Sequence, residues 1–137
     1  RIPARYGGRF GPDLEAVAAR ARLAPEAAIT LHTGTEYRVA MLGFAPGFPY
    51  LSGLAARLST PRRPTPRVRV AGGSVGIGGD QTGIYPREGP GGWNIIGRTP
   101  LRLFDPARKA PCVLAPGQPV RFRAIDDVEF ERLEAGR

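Results

Sequence analysis

A chain of 137 residues, 42% of them hydrophobic and with a net charge of +8, is of a size for one domain that buries about two thirds of its unfolded surface. It contains no run near the roughly 18 apolar residues that a membrane span needs and no signal-peptide pattern, so a soluble, cytoplasmic protein is expected. The single cysteine, Cys112, excludes disulfides within the chain, and with one histidine there is no His/Cys zinc cluster, so no metal is expected.

A first short strand is expected to run out through a turn at Tyr6–Phe10, where Gly7, Gly8 and Gly11 cluster. Pro12-Asp13 then opens a helix: proline suits a first helical turn, and Asp13 and Glu15 complement the helix dipole. Leu14, Val17, Ala18 and Ala21 recur at i, i+3, i+4 and i+7, which gives that helix one apolar face. Ala24-Pro25-Glu26 starts a second helix that Gly34 stops. This pair is a poor DNA-reading helix-turn-helix, because Glu26–Thr33 offers no arginine, lysine or asparagine to a base edge.

From Thr35 the period changes to two. Tyr37, Val39 and Met41 alternate with Arg38 and Ala40, the pattern of a half-buried strand. It leads into Gly43-Phe44-Ala45-Pro46-Gly47-Phe48-Pro49-Tyr50-Leu51, whose prolines argue against a central strand. Phe44, Phe48 and Tyr50 either pack beneath the domain or form a recognition surface. Pro61–Arg67 is extended by its prolines. The 20 basic residues are 19 arginines and Lys109, and no acid lies between Glu36 and Asp80, while Arg38, Arg57, Arg62, Arg63, Arg67 and Arg69 do. Such a patch suits an anion, a carboxylate substrate or an acidic partner surface, or is a solvated arginine-rich loop.

Gly72–Thr99 carries 10 of the 19 glycines and the only tryptophan, Trp93. Glycine weakens a strand unless the backbone bends or something lies against it. Two readings remain open: corners of a tightly curved barrel, or a concave floor ringed by Ser74, Gln81, Thr82, Tyr85, Trp93 and Arg98. Leu101 and Leu103, then Val120, Phe122 and Ala124, predict two further strands, and Asp126–Leu133 a closing helical segment. Strands outnumber helices without a regular alternation, so the fold class is mainly β: a closed or nearly closed antiparallel barrel with two or three peripheral helices.

Neither GxxxxGK[ST] nor HExxH is present, so classical nucleotide and zinc-protease chemistry is not encoded. His32 falls at a helix end and reads as structural, and Cys112 as a half-buried thiol. General acid or base work would fall to Glu36, Asp80, Glu88 or Asp105, which spacing does not pair, so no catalytic residue is assigned.

The motifs Leu31–Val39, Gly43–Leu51, Pro61-Arg62-Arg63, Gly73–Ile77, Gln81–Pro86, Gly91-Gly92-Trp93 and Gly97–Pro100, in that order, resemble the allophanate hydrolase subunit 1 family. That family includes the 5-oxoprolinase subunit PxpB and the sporulation kinase inhibitor KipI, and it is similar to the carboxyltransferase region of urea carboxylase. The resemblance covers about Pro3–Ile125. It implies a cyclophilin-like barrel spanning 1–137, the carboxy-terminal domain of a two-domain subunit whose amino-terminal part would precede Arg1; a start other than methionine fits that expectation. It further implies a companion cyclophilin-like subunit of the PxpC, KipA or allophanate hydrolase subunit 2 type, a PxpA (LamB/YcsF-type) subunit, and a composite site. Arg62, Arg63, Ser74, Gln81, Thr82, Tyr85, Trp93 and Arg98 then become candidate substrate-binding positions and Phe44, Phe48 and Tyr50 partner-binding ones.

Three functions follow. The first is a subunit of an ATP-dependent 5-oxoprolinase-type amide hydrolase, with ATP used by the complex, its site expected outside this domain. The second is a KipI-like inhibitor of a histidine kinase. The third is a urea carboxylase-type carboxyltransferase component, the one case that would involve biotin. Prolyl isomerisation rests on fold analogy alone. Neither nucleic acid nor a membrane is an expected partner.

Overall fold

The structure, a computed structural model, describes residues 1–42, 49–103 and 114–136. Ten strands and three α-helices are present among them: β1 (Ile2–Tyr6), α1 (Leu14–Arg20), α2 (Pro25–Thr33), β2 (Tyr37–Leu42), β3 (Pro49–Ser52), β4 (Arg67–Val70), β5 (Ser74–Gly78), β6 (Gln81–Ile84), β7 (Gly89–Gly91), β8 (Asn94–Arg98), β9 (Pro119–Val120), β10 (Phe122–Ala124) and α3 (Asp127–Ala135). Eight strands form one sheet in the order β10-β1-β8-β5-β6-β3-β2-β9, while β4 and β7 make a separate ribbon. The sheet curls nearly closed, because Pro119–Ala124 serves both of its edges: β9 pairs with β2, and one residue later β10 pairs with β1. Every pairing is antiparallel except β1 with β10, where Ile2 faces Phe122 in parallel.

The expected mainly β barrel with peripheral helices is therefore present. Two local expectations fail. Pro49–Ser52 is an internal strand between β2 and β6, although its prolines argued against one. The ladder tolerates Pro49 because it is the first residue of the strand, where the missing N–H matters least. Leu101–Leu103 is not a strand: the Leu101 N–H donates to Thr99 Oγ1 (3.2 Å), a local turn that takes the segment off the sheet while still burying Leu103.

Val39, Leu51, Val75, Ile77, Ile84, Ile96 and Phe122 point into the barrel, and α1 and α2 lay Leu14, Val17, Ala18 and Ala28 on the same core. Each fully buried aliphatic side chain there contributes about 1.5–3 kcal/mol. His32, at the end of α2, is completely buried among Tyr6, Tyr37 and Phe122, with its ring 4.6 Å from that of Phe122. Its polar atoms are all engaged. Thr82 Oγ1 donates to Gly76 O (2.8 Å), which uses its only hydrogen, so at its 3.1 Å contact with His32 it must accept. His32 thus carries its proton on Nε2, and Nδ1 accepts from the Tyr6 hydroxyl at 2.6 Å. Burial pushes the His32 pKa down to about 3, keeping the ring neutral, and pushes the Tyr6 hydroxyl well above its ordinary value.

Candidate functional site

Alternation along the central strands places a second set of side chains on the outside of the barrel. Val75 and Ile77 face inward, so Ser74, Gly76 and Gly78 face outward; yet all five residues of β5 are buried, so that outer face is covered too. The cover is Trp93, which lies on the two glycines: a Cβ at Gly78 would come within 2.5 Å of its ring. Tyr85 lies against Gly91 in the same way, and a Cβ there would overlap its hydroxyl. Val70, Tyr85, Trp93 and Ile95 form a second apolar cluster, with Tyr50 packed 5.7 Å from the Trp93 ring. Burial raises the Tyr85 pKa, against the lowering effect of the Trp93 backbone hydrogen bond and of Arg62 and Arg67. The β4–β7 ribbon borders this cluster through Val70.

The ribbon and the extended segment before it are anchored on Asp13. Arg67 grips its carboxylate with both terminal nitrogens (2.6 and 2.9 Å), Arg63 Nη1 donates at 3.1 Å, and the Ile95 N–H donates at 2.7 Å. Burial alone would raise the Asp13 pKa, but these donors and the two cationic charges outweigh it and hold the carboxyl below its ordinary value. Asn94 Nδ2 donates to Pro61 O and the Arg63 N–H to Gly92 O, which ties the extended segment to the start of β8.

Between the ribbon, the turn after β1 and the end of β8 opens a cleft of about 280 Å³, lined by Arg9, Phe10, Pro12, Arg67, Arg69, Val70, Ala71, Ser74, Glu88, Ile95 and Arg98. Of its four arginines, Arg67 is paired with Asp13, and Arg69 reaches Glu88 at 3.5 Å. Arg9 and Arg98 have no carboxylate partner among the described residues. Instead both stand over the Phe10 ring, their guanidinium carbons 4.3 and 5.2 Å from its centroid. Arg98 Nε is shielded from solvent and bonded to nothing. Burial, then the neighbouring Arg9 charge, lowers the Arg98 pKa, with Glu134 acting in the opposite sense.

The structure divides the residues singled out from sequence. Ser74 and Arg98 are cross-strand partners and share the cleft, and Tyr85 is next to them, its N–H bonded to Ser74 O. Gln81 lies at the opposite end of β5, facing Gly78, about 13 Å along the strand from Ser74. Trp93 covers that far end. Thr82 is wholly inside the barrel, bonded to His32 and Gly76. Arg63 is committed to Asp13, while Arg62 is exposed. Tyr50 is half-buried on Trp93; Phe44, Phe48 and Cys112 lie outside the described residues. Of the other arginines in the acid-free stretch, Arg57 donates to the carbonyls of Ala21 and Arg22, and Arg38 to Gly117 O. Arg9 and Phe10 were not among the expected site residues. Their one local signal is an arginine beside an aromatic in a glycine-flanked turn. Among the described residues no group of His, Cys, Asp and Glu could hold a metal, and no helix is long and apolar enough to cross a membrane.

Residues 1–114 match the family model described as carboxyltransferase domain, subdomain C and D. The chain belongs to this family. Within it, the chain is 57% identical over 121 residues to a 5-oxoprolinase subunit of Escherichia coli O157:H7, covering 88% of this chain and 56% of that protein. It is 52% identical over 129 residues to a 5-oxoprolinase subunit of Bacillus subtilis (strain 168), covering 94% of this chain and 54% of that protein. A crystal structure of a conserved uncharacterized protein from Pyrococcus horikoshii superposes with a TM-score of 0.91 at 52% identity, covering 94% of this chain and 60% of that one. The chain thus spans little more than half the length of the curated relatives it matches. The motif resemblance to the 5-oxoprolinase subunit group of the carboxyltransferase-domain family holds, and so does the barrel it implied.

Proposed function

We propose that this carboxyltransferase-domain chain is part of a subunit of a 5-oxoprolinase-type complex, which couples ATP hydrolysis to opening the lactam of 5-oxoproline. The chain lends the complex one wall of a composite site that partner subunits complete. One observation supports this reading: the outer-face cleft offers cationic groups suited to holding an anion. It presents arginines in excess, and its only carboxylate, Glu88, faces Arg69. The one histidine is sealed in the core with both nitrogens engaged. A lactam needs an activated oxygen or nucleophile to open it, and those groups would come from the companion cyclophilin-like subunit and the PxpA-type subunit. ATP would be used there as well, since this chain has no phosphate loop. The identities of 52% and 57% to proteins named as 5-oxoprolinase subunits support the choice of substrate.

The test is 5-oxoproline-dependent ATP hydrolysis by the full-length subunit mixed with its partners, each left out in turn. Activity that vanishes when this subunit is omitted is the expected result. A stable complex without that activity sinks the reading. The description of the matched family as a carboxyltransferase domain favours one second reading, carboxyl transfer from carboxybiotin, which a biotin-dependent carboxylation assay on the same complex would detect.

A further inference from the structure

All but one of the half-buried arginines among the described residues meet a carboxylate. Arg67 and Arg63 converge on Asp13, Arg5 reaches Asp127 and Arg123 reaches Glu129. Arg98 breaks that pattern. It is half-buried and meets no carboxylate, its Nε, like that of Arg63, is shut off from water without a partner, and both Arg9 and Arg5 stand beside it at the Phe10 ring. Of the three cations at this ring only Arg5 has a carboxylate, Asp127, and withdrawing Arg98 from water beside like charges without a counter-charge is costly. A structural arginine would be paired, as Arg67 is. An arginine kept open in a cleft is held for an anion that arrives from outside.

The surroundings select the anion. Ser74 faces Arg98 directly across β5 and β8, so the two side chains leave the same face about 5 Å apart. The Ser74 hydroxyl lines the cleft and makes no hydrogen bond among the described residues. Val70 and Ile95 supply an apolar wall beside these polar groups. At about 280 Å³ the cleft is at the lower end of ligand-site volumes, a fit for a single-ring acid and too little for a nucleoside triphosphate. One further acid bears on it: Glu134, in the last turn of α3, acts on Arg98, and that helix is held near the cleft by the packing of Phe130 on Phe10 (4.7 Å).

We propose that Arg98 and Arg9 bind the carboxylate of a small cyclic acid over the Phe10 ring, with the Ser74 hydroxyl as a further donor and Glu134 as a competing internal counter-charge. This deepens the proposed function and rests on it only for the name of the acid, 5-oxoproline, a five-membered lactam bearing one carboxylate. The lactam would then lie toward Val70 and Ile95, leaving its amide bond for groups brought by the partner.

The test is titration calorimetry on the full-length subunit in its assembled complex, with four probes: 5-oxoproline, 2-pyrrolidinone (the same lactam without the carboxylate), tetrahydrofuran-2-carboxylate (a ring carboxylate without the lactam) and inorganic phosphate. Arg98→Gln should weaken 5-oxoproline binding about tenfold or more and Arg9→Gln about threefold, because each removes one charge-assisted contact. Glu134→Gln, at an exposed position where misfolding is not a concern, should tighten it about twofold. 2-Pyrrolidinone should not bind measurably. Unchanged 5-oxoproline affinity in both arginine variants overturns the proposal, as does equal binding of 2-pyrrolidinone or equally strong competition by phosphate. If 5-oxoproline does not bind but tetrahydrofuran-2-carboxylate does, with the same dependence on Arg98 and Arg9, the carboxylate site stands and the 5-oxoprolinase reading falls.

Discussion

Two polar clusters lie on opposite faces of the same sheet, and they are treated in opposite ways. Inside the barrel, His32, Tyr6, Tyr37 and Thr82 are sealed from solvent and bonded to one another and to backbone: Tyr37 Oη donates to His32 O at 2.7 Å, Tyr6 to His32, and Thr82 to Gly76. Outside, Arg98 and Arg9 stand at a cleft with no carboxylate among the described residues to meet them. A fully satisfied buried network rigidifies the fold and leaves nothing to offer a ligand; an unsatisfied one at a solvent-reaching cleft does the reverse. The contrast separates fully engaged polar residues from those left open at a cleft without any appeal to residue type, since both clusters hold groups that could pass for catalytic.

The largest effect should come from breaking the inner cluster. His32→Ala would open a cavity and strand the Tyr6 hydroxyl, costing about 3–5 kcal/mol in urea unfolding. The same histidine sets a pH dependence. Its folded pKa of about 3 is depressed below the unfolded value of about 6.5, so below pH 6.5 the unfolded state takes up the proton and the folded state does not. Its stabilising influence is therefore complete above pH 6.5 and is lost as the pH falls toward 3, by about 3 kcal/mol between pH 6.5 and 4. It is the only histidine, so a stability curve flat over that window would show that the ring is not sealed as described.

Asp13→Asn comes next, because it removes the charge on which Arg67 and Arg63 converge. Neutralising a buried carboxylate between two arginines should cost about 2–4 kcal/mol. It should also disturb the cleft, since Arg67 holds the ribbon that forms one wall. A loss below about 1 kcal/mol would place this anchor with ordinary surface ion pairs. Gly78→Ala is smaller, about 1–2 kcal/mol, because the new methyl must push Trp93 off the strand. The fluorescence of the single tryptophan should shift with it, and an unchanged emission maximum would count against that packing.

The helices and most strands were legible because their signals are local: Leu14, Val17 and Ala18 mark α1 by spacing, and Tyr37 and Val39 mark β2. The glycine run was legible as a requirement for close approach. What approaches is Trp93, 15 positions beyond Gly78, and linear sequence does not encode that meeting. The Asp13 anchor was invisible for the same reason. In sequence it looks like a helix-start residue, and its partners lie 50 and 54 positions away. Arg98 belonged to a motif, but the turn that brings Arg9 and Phe10 to it lies at the other end of the chain, positioned by the β1–β8 pairing. Local rules misjudged Pro49, since whether a proline harms a ladder depends on which N–H the neighbouring strand needs.

The smallest expected change is the most discriminating. Arg98→Gln removes a cation that is half-buried, unpaired and close to a second cation, so unfolding free energy should stay within about 0.5 kcal/mol of the parent or rise slightly. Ligand binding should weaken in the same variant. That combination, near-neutral stability with lost affinity, is what a residue kept unsatisfied for a ligand must show, and it inverts the result expected at Asp13. A drop of about 2 kcal/mol or more by urea titration would mean that Arg98 holds the fold together, and the distinction between the two faces of the barrel would fail at its outer member.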